Sequence, residues 1–554
     1  GEPTKAAEGF AKSCGVTVSQ LKRRTTEKGE RLAYTLKLEG KAAAELLPQI
    51  VAEALMKLPV PKRMRWGAGD AQFVRPVHWV VMLLGERTLK ATILGVAASN
   101  KTYGHRFHHP GAIVIKHPAE YRKLLEKTGK VRVEDTRGSL KAKIKTLVEK
   151  EATRLKGHAQ LDEALLEEVA SLVEWPVPVT GSFDERFLAL PDEAIVAVLE
   201  TQQRYFPLRQ KNGSLLPHFV TFANIKSKQP REIRRGNERV IGPRLADAMF
   251  FWSTDRSQRL DSRVEELDRV TFQKELGSIG DKSRRVTKLA TKIAQDIGGD
   301  PKLVERAAKL AKCDLLTGMV GEFPELQGIM GRYYAQHDGE NAEVCAAIAE
   351  HYRPRFAGDM LPATKTGQAL AIADKLDTIA GIFLIGHKPS GEKDPFGLRR
   401  AGLGLMRIII ERQLPLVLAG YLRDALQTQP AQNKEQQALI RETYEFLLDR
   451  LRAYFLEVGI RADVYDAVRA CNPGKPLEFQ QRIQALNAFL TLPEATSLAT
   501  ANKRISNILR QAGYKGAQKV QEELLREPVE LTLHQNLTKV DEDTRVLAQH
   551  GDYS

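Results

Sequence analysis

His337 and Asp338, adjacent in YYAQHDGE, together with Asp374 in ALAIADKLDTI, offer an imidazole and two carboxylates, a donor set able to hold a divalent metal for hydrolysis. Neighbouring helical residues point about 100° apart, so such a site needs further ligands from other helices, and none is evident. GSIGDKSRR, Gly277 to Arg285, has the glycines and cations of a phosphate cradle without the Gly-Lys order of a phosphate loop; a turn into a helix is expected there. The sequence contains no GxxxxGK[ST], GxSxG or HExxH pattern. No catalytic residue and no metal ligand is therefore assigned.

Binding chemistry is better represented. MRWGAGDAQFVRPVHWVVMLLG, Met64 to Gly85, places Arg65, Arg75 and His78 at the entrance to an apolar run. KTYGHRFHHP interleaves Tyr103 and Phe107 with His105, Arg106, His108 and His109, a composition suited to stacking on unpaired bases. From Ile225 to Arg244, Lys226, Lys228, Arg231, Arg234, Arg235, Arg239 and Arg244 stand against Glu232 and Glu238; the stretch suits phosphates, or is a solvated loop. ATANKRISNILRQAG puts Ile505, Ile508 and Leu509 on an expected buried stripe, with Lys503, Asn507 and Arg510 on another helical face.

The elements that must position these residues follow from periodicity. Gly67 and Gly69 mark a turn, and Val77 to Leu84 reads as a buried strand. Short strand-like runs (ATILGVAA, AIVIK, HFVTFAN) mix with helical ones (LKAKIKTLVEKEATRL) up to about Trp252, an α+β pattern. LPDEAIVAVLETQQRYFPL reads as a helix opened by Pro191, Asp192 and Glu193 that runs into a strand. After Phe251 the apolar residues recur every three or four positions, as in RVTKLATKIAQDI, and a helical region is expected. GHKPSGEKDPFGLRR is a loop feeding a further helix, and Gln427 to Gln437 a surface connection.

A chain of 554 residues needs several cores. Its 84 Lys and Arg against 69 Asp and Glu give a net charge of +15, which favours a polyanionic partner. The four cysteines form no CxxC pair and no long apolar segment occurs, so a reducing, cytoplasmic setting without membrane contact is expected.

MRWGAGDAQFVRPVHW, YGHRF, LVEWPVPVTGSFDERFLALP, TQQRYFP, RLADAMFFWSTD, CDLLTGMVGEFPELQGIMG, ADKLDTIAGIF, KDPFGLRRAGLG and ANKRISNIL, taken in order from end to end, resemble the β-subunit family of bacterial heterotetrameric glycyl-tRNA synthetases. The resemblance implies an α2β2 ligase whose α subunit holds the active site for glycine, ATP and Mg, while the β subunit binds tRNA(Gly) and needs no cofactor of its own. It implies a multidomain α+β fold: a mixed α/β tRNA-binding module at 1–258, an all-α module like the HD phosphohydrolases at 259–412, and a helical region at 413–554 with the first half of an anticodon-binding domain. In that phosphohydrolase fold LAKCDL is the place for a His-Asp pair, and Cys313-Asp314 stands there instead. The family's opening Gly-Thr-Glu-Glu-Leu-Pro-like run is absent before GEPTKAAEGF and its last helices do not follow DYS, so truncation at both ends is expected. RNA contacts are then expected at Arg65, Arg75, His105, Arg106, Arg231, Arg234, Arg235, Lys503, Asn507 and Arg510. The alternatives are a metal-dependent phosphohydrolase using His337, Asp338 and Asp374, and a scaffold for the α subunit without RNA contact.

Overall fold

The computed structural model describes residues 4–26, 29–36, 40–132, 136–430, 436–471, 473–513, 520–549 and 552–553. The chain is mostly helical with several small sheets, and it divides into two compact units. The first comprises Gly1–Glu151, Leu161–Val179 and Phe222–Pro230; the second comprises Ala152–Gln160, Thr180–Thr221 and Arg231–Ser554.

In the first unit, Met64–Arg65 and Gln72–Phe73 form a hairpin turned at Gly67, whose φ of 60° suits glycine. The strand expected over Val77 to Leu84 divides in two, because its halves find different partners. Val80–Val81 pairs in parallel with Ala98 and Ser99, whereas Leu83–Leu84 folds back through Gly85 onto Arg87–Thr88. Between them the buried Met82 joins Leu89 and Ile93 in a small core, against which Leu47, Val51 and Leu55 of the helix Ala43–Lys57 pack. ATILGVAA becomes the antiparallel pair Thr92–Ile93 and Val96–Ser99, and AIVIK supplies Ala112–Val114, antiparallel to Lys101–Tyr103. The helix Arg137–Arg154 buries Leu140, Ile144 and Val148 at four-residue spacing.

In the second unit, the helix Asp192–Val196 continues as a π-helical turn, Ala197–Gln202, and leads into the strand Phe206–Arg209 of a four-stranded sheet. The stretch weighed as a solvated loop at 225–244 is instead mostly helix, Pro230–Asp255. One apolar residue per turn, Ile241, Leu245 and Ala248, is fully buried and anchors it. GSIGDKSRR opens the helix Ile279–Asp296 through a capping box: Ser278 Oγ accepts from Asp281 N, and the Asp281 carboxylate accepts from Ser278 N. At the centre lies Lys365–Leu384, buried nearly all round, with Gln368, Lys375 and Asp377 buried among its apolar residues. The connection at Gln427 to Gln437 includes 431–435, outside the described residues. Ile505 and Ile508 are each 56% exposed and Leu509 42%, so the stripe expected to be buried on the helix Pro493–Gln511 is uncovered. Periodicity identifies an amphipathic face, not what lies on it. Among the described residues no helix is long and apolar enough to cross a membrane.

Candidate nucleic-acid interface

In the first unit the two aromatic motifs meet. Trp79, at the end of MRWGAGDAQFVRPVHW, lies 4.9 Å from Tyr103 between ring centroids, and both rings are about two-fifths exposed. The GHRF turn follows directly. His105 N donates to Gly129 O at 2.6 Å, and the His105 Nδ1 accepts from Phe107 N and His108 N at 3.2 and 3.3 Å. These bonds place the His105 proton on Nε2 and leave Arg106 exposed and Phe107 84% exposed. An apolar ring so far into solvent, beside a guanidinium, has the chemistry of a stacking face. Desolvation, then the positive fields of His105, Lys228 and Lys130, hold His108 below the usual imidazole value, so Lys228 of the basic stretch contributes to the same potential.

Gly104 is what lets this turn close: a Cβ there would overlap the Gly129 carbonyl oxygen. Gly104→Val therefore opens the turn, and trypsin cleavage after Arg106 accelerates at least ~tenfold as local protection is lost. Cleavage at the parental rate would show that the turn tolerates a side chain.

The other expected contacts are dispersed. Arg65 is exposed and pairs with Asp70 at 3.4 Å, a surface ion pair of little energetic weight. Arg75 is exposed, with Nη1 donating to Val74 O at 3.0 Å. Arg231, Arg234 and Arg235 are exposed at spacings that share one face of Pro230–Asp255. Of the two acids in that stretch, Glu232 pairs with Arg235 at 3.3 Å, whereas Glu238 accepts from Ser182 N and Oγ at 2.9 and 3.1 Å and does not neutralise the arginines. Lys503 and Arg510 are exposed on Pro493–Gln511, where Asn507 Oδ1 accepts from Arg510 Nη2.

His337, Asp338 and Asp374 have separate partners. The His337 Nδ1 faces Arg256 Nη2 at 3.0 Å, and the Asp338 carboxylate accepts from Leu260 N at 2.6 Å. Asp374 faces the ammonium groups of Lys282 and Lys312 at 3.3 and 3.5 Å. Burial raises the Asp374 carboxyl, but these cations prevail and hold it below the usual range. Cys313 is buried, its thiol pushed up to about 12 by desolvation. Asp314 accepts from Gly328 N and Gly331 N at 2.5 and 3.1 Å, capping the helix Ile329–His337, with burial raising its carboxyl to about 6. Among the described residues no three His, Cys, Asp or Glu side chains are grouped to hold a metal.

Sequence reasoning missed the buried basic cluster itself. Lys282, Lys375 and Arg285 are each under a tenth exposed. Arg285 and Lys282 share Asp377. Lys312 Nζ donates to His351 Nε2 at 2.7 Å while the His351 Nδ1 donates to Ile348 O. Burial, then Lys312, holds His351 well below its usual value. The available signal was the charged trio Asp374, Lys375 and Asp377 inside an otherwise largely apolar helical run.

The family described as glycyl-tRNA synthetase beta subunit matches residues 1–470. The chain belongs to the glycyl-tRNA synthetase β-subunit family. Relatives named glycine--tRNA ligase beta subunit include those of Edwardsiella ictaluri, 48% identical, Marinobacter nauticus, 47% identical, and Hahella chejuensis, 48% identical. Each alignment covers 100% of this chain and 80% of the relative. The family match includes the Trp79–Phe107 surface and Arg231 to Arg235, whereas Lys503, Asn507 and Arg510 lie beyond residue 470.

Proposed function

We propose that this chain works as the tRNA-binding β subunit of glycyl-tRNA synthetase, presenting tRNA(Gly) to an α subunit that activates glycine with ATP and Mg. The observation that carries the tRNA-binding role is the exposed Trp79, Tyr103, Arg106 and Phe107 surface, which joins stacking faces to cations. The helical region at 259–412 resembles a phosphohydrolase module turned to structural use: Asp314 caps a helix and lysines surround Asp374. The contribution to ligation is positional. Holding the terminal hydroxyl of tRNA against an activated aminoacyl group makes transfer effectively intramolecular. The setting is cytoplasmic, where tRNA charging and free thiols belong together.

The test uses the assembled α and β subunits. Arg106→Ala combined with Phe107→Ala raises the KM for tRNA about tenfold or more, since base stacking is worth about 1–3 kcal/mol per base. Glycine-dependent pyrophosphate exchange, which needs no tRNA, stays at the parental rate, and the chain freed of α subunit gives only background exchange. An unchanged KM for tRNA would leave the chain as a scaffold, and robust exchange by the isolated chain would place the active site here.

A further inference from the structure

A cavity of about 490 Å³ lies between the helices Lys365–Leu384 and Leu398–Glu411 and the loop after Ala342–Glu350. None of the surfaces described above uses it. Its wall includes His351, Tyr352, Arg355, Lys375, Phe396 and Arg400. Its size is that of a small-molecule site, too small for a duplex and large enough for one nucleotide.

Two features of the wall are open to partners that a ligand would supply. Lys375 is 6% exposed, and its ammonium donates to His351 O at 3.1 Å and Arg353 O at 2.8 Å. Asp374, beside it in sequence, is committed to Lys282 and Lys312. A buried ammonium whose hydrogen bonds go to carbonyls is costly, and an approaching anion relieves it. The Tyr352 hydroxyl is buried without a hydrogen-bond partner, a donor in waiting.

The mouth is built from KDPFGLRR. Asp394 accepts from Leu398 N and Arg399 N, both at 2.9 Å, which fixes the turn carrying Phe396 and Arg400. Gly397 takes a left-handed φ of 64°, and a Cβ there would come within 3.1 Å of Arg400 Nη2. Phe396 is 39% exposed and Arg400 is exposed. Across the opening, Arg355 is held by Glu325 O and Gln327 O at 3.4 and 3.1 Å. Against these cations stand the carboxylates of Glu325 and Asp374.

The geometry points to a site for a 5′-phosphorylated nucleoside, with the phosphate at Arg400 and Arg355, the base against Phe396, and a ribose oxygen accepting from the Tyr352 hydroxyl. The same chemistry is offered by a free mononucleotide and by an unpaired nucleotide of an RNA strand. An inorganic phosphate would use the cations and leave Phe396 without a role.

Equilibrium dialysis of the 554-residue chain against radiolabelled uridine 5′-monophosphate and against 5′-phosphorylated pentauridylate tests this. Saturable binding is expected, weakened at least ~tenfold by Arg400→Ala and by Phe396→Ala. Both positions are exposed, and thermal melts check that the fold is kept. The KM for tRNA of the assembled enzyme carrying Arg106→Ala and Phe107→Ala reads the other surface, so failure of that assignment and failure of this one are separable. Retention of the mononucleotide identifies a free nucleotide as sufficient; retention of the oligonucleotide alone identifies the RNA strand. Absence of saturable binding for both probes overturns the site, as does parental affinity in both variants. Competition by inorganic phosphate as strong as that by the mononucleotide overturns the nucleoside assignment.

Discussion

Asp377→Ala lowers the stability of the helical core by about 3–5 kcal/mol, the usual cost of breaking a buried ion pair from one side. Asp377 is 1% exposed. It accepts from Arg285 Nε and Nη2 at 2.7 and 3.2 Å, from Lys282 Nζ at 3.2 Å and from Gln429 Nε2 at 2.9 Å. Removing the carboxylate strands the Arg285 guanidinium in the interior, with Leu276 O at 3.1 Å left to accept from it. Lys292→Ala serves as the contrast. Its pair with Asp424 is solvent-accessible, 57% exposed on the lysine side, and such pairs are worth at most about 1 kcal/mol. Because a chain of two units need not unfold in one step, the measurement is hydrogen exchange at amides of Lys365–Leu384. A change in Asp377→Ala no larger than that in Lys292→Ala would mean the buried carboxylate is not a keystone of the core.

The helical half of this fold is legible because its period is local. RVTKLATKIAQDI and ALAIADKLDTIAGIF carry the apolar spacing of the helices Ile279–Asp296 and Lys365–Leu384, and Pro191 with two acids marks the start of Asp192–Val196. Strand partners are not local. Nothing within Val77 to Leu84 says that Val80 and Val81 pair with Ala98 and Ser99 while Leu83 and Leu84 turn back. The helix Pro230–Asp255 was obscured by its arginines and by Gly236, Gly242 and Pro243, since Ile241, Leu245 and Ala248 are too sparse an apolar stripe to stand out among 26 residues. The aromatic surface was legible in composition, through Tyr103 and Phe107, but its junction with Trp79 exists only in three dimensions. Buried lysines are the hardest of all to read. Lys usually means solvent, and only the fold shows that Lys282, Lys312 and Lys375 point inward.

Changing Arg231, Arg234 and Arg235 together to Ala weakens tRNA binding by the assembled enzyme for every tRNA sequence alike and flattens its dependence on salt. The three guanidinium groups stand exposed on one helical face, and the helix that carries them is anchored through Ile241, Leu245 and Ala248 rather than through the arginines, so the fold survives their loss. Phosphates are bound through charge, with counter-ions released to solvent, and each phosphate left without its arginine lowers the log-log slope by roughly 0.7 to 0.9. Removing all three guanidinium groups reduces its magnitude by about 2 to 3, so that over a fourfold change in salt the difference in affinity from the parent shifts by roughly 15- to 60-fold. Circular dichroism checks the helix, and affinity is measured across at least four salt concentrations with tRNA(Gly) and one non-cognate tRNA. A base-reading role would instead penalise the cognate tRNA selectively, and an unaltered slope would return these arginines to a solvated face. In that last case the exposed Arg106 and Phe107, on a turn fixed by His105 and Gly104, would carry the RNA-binding assignment by themselves.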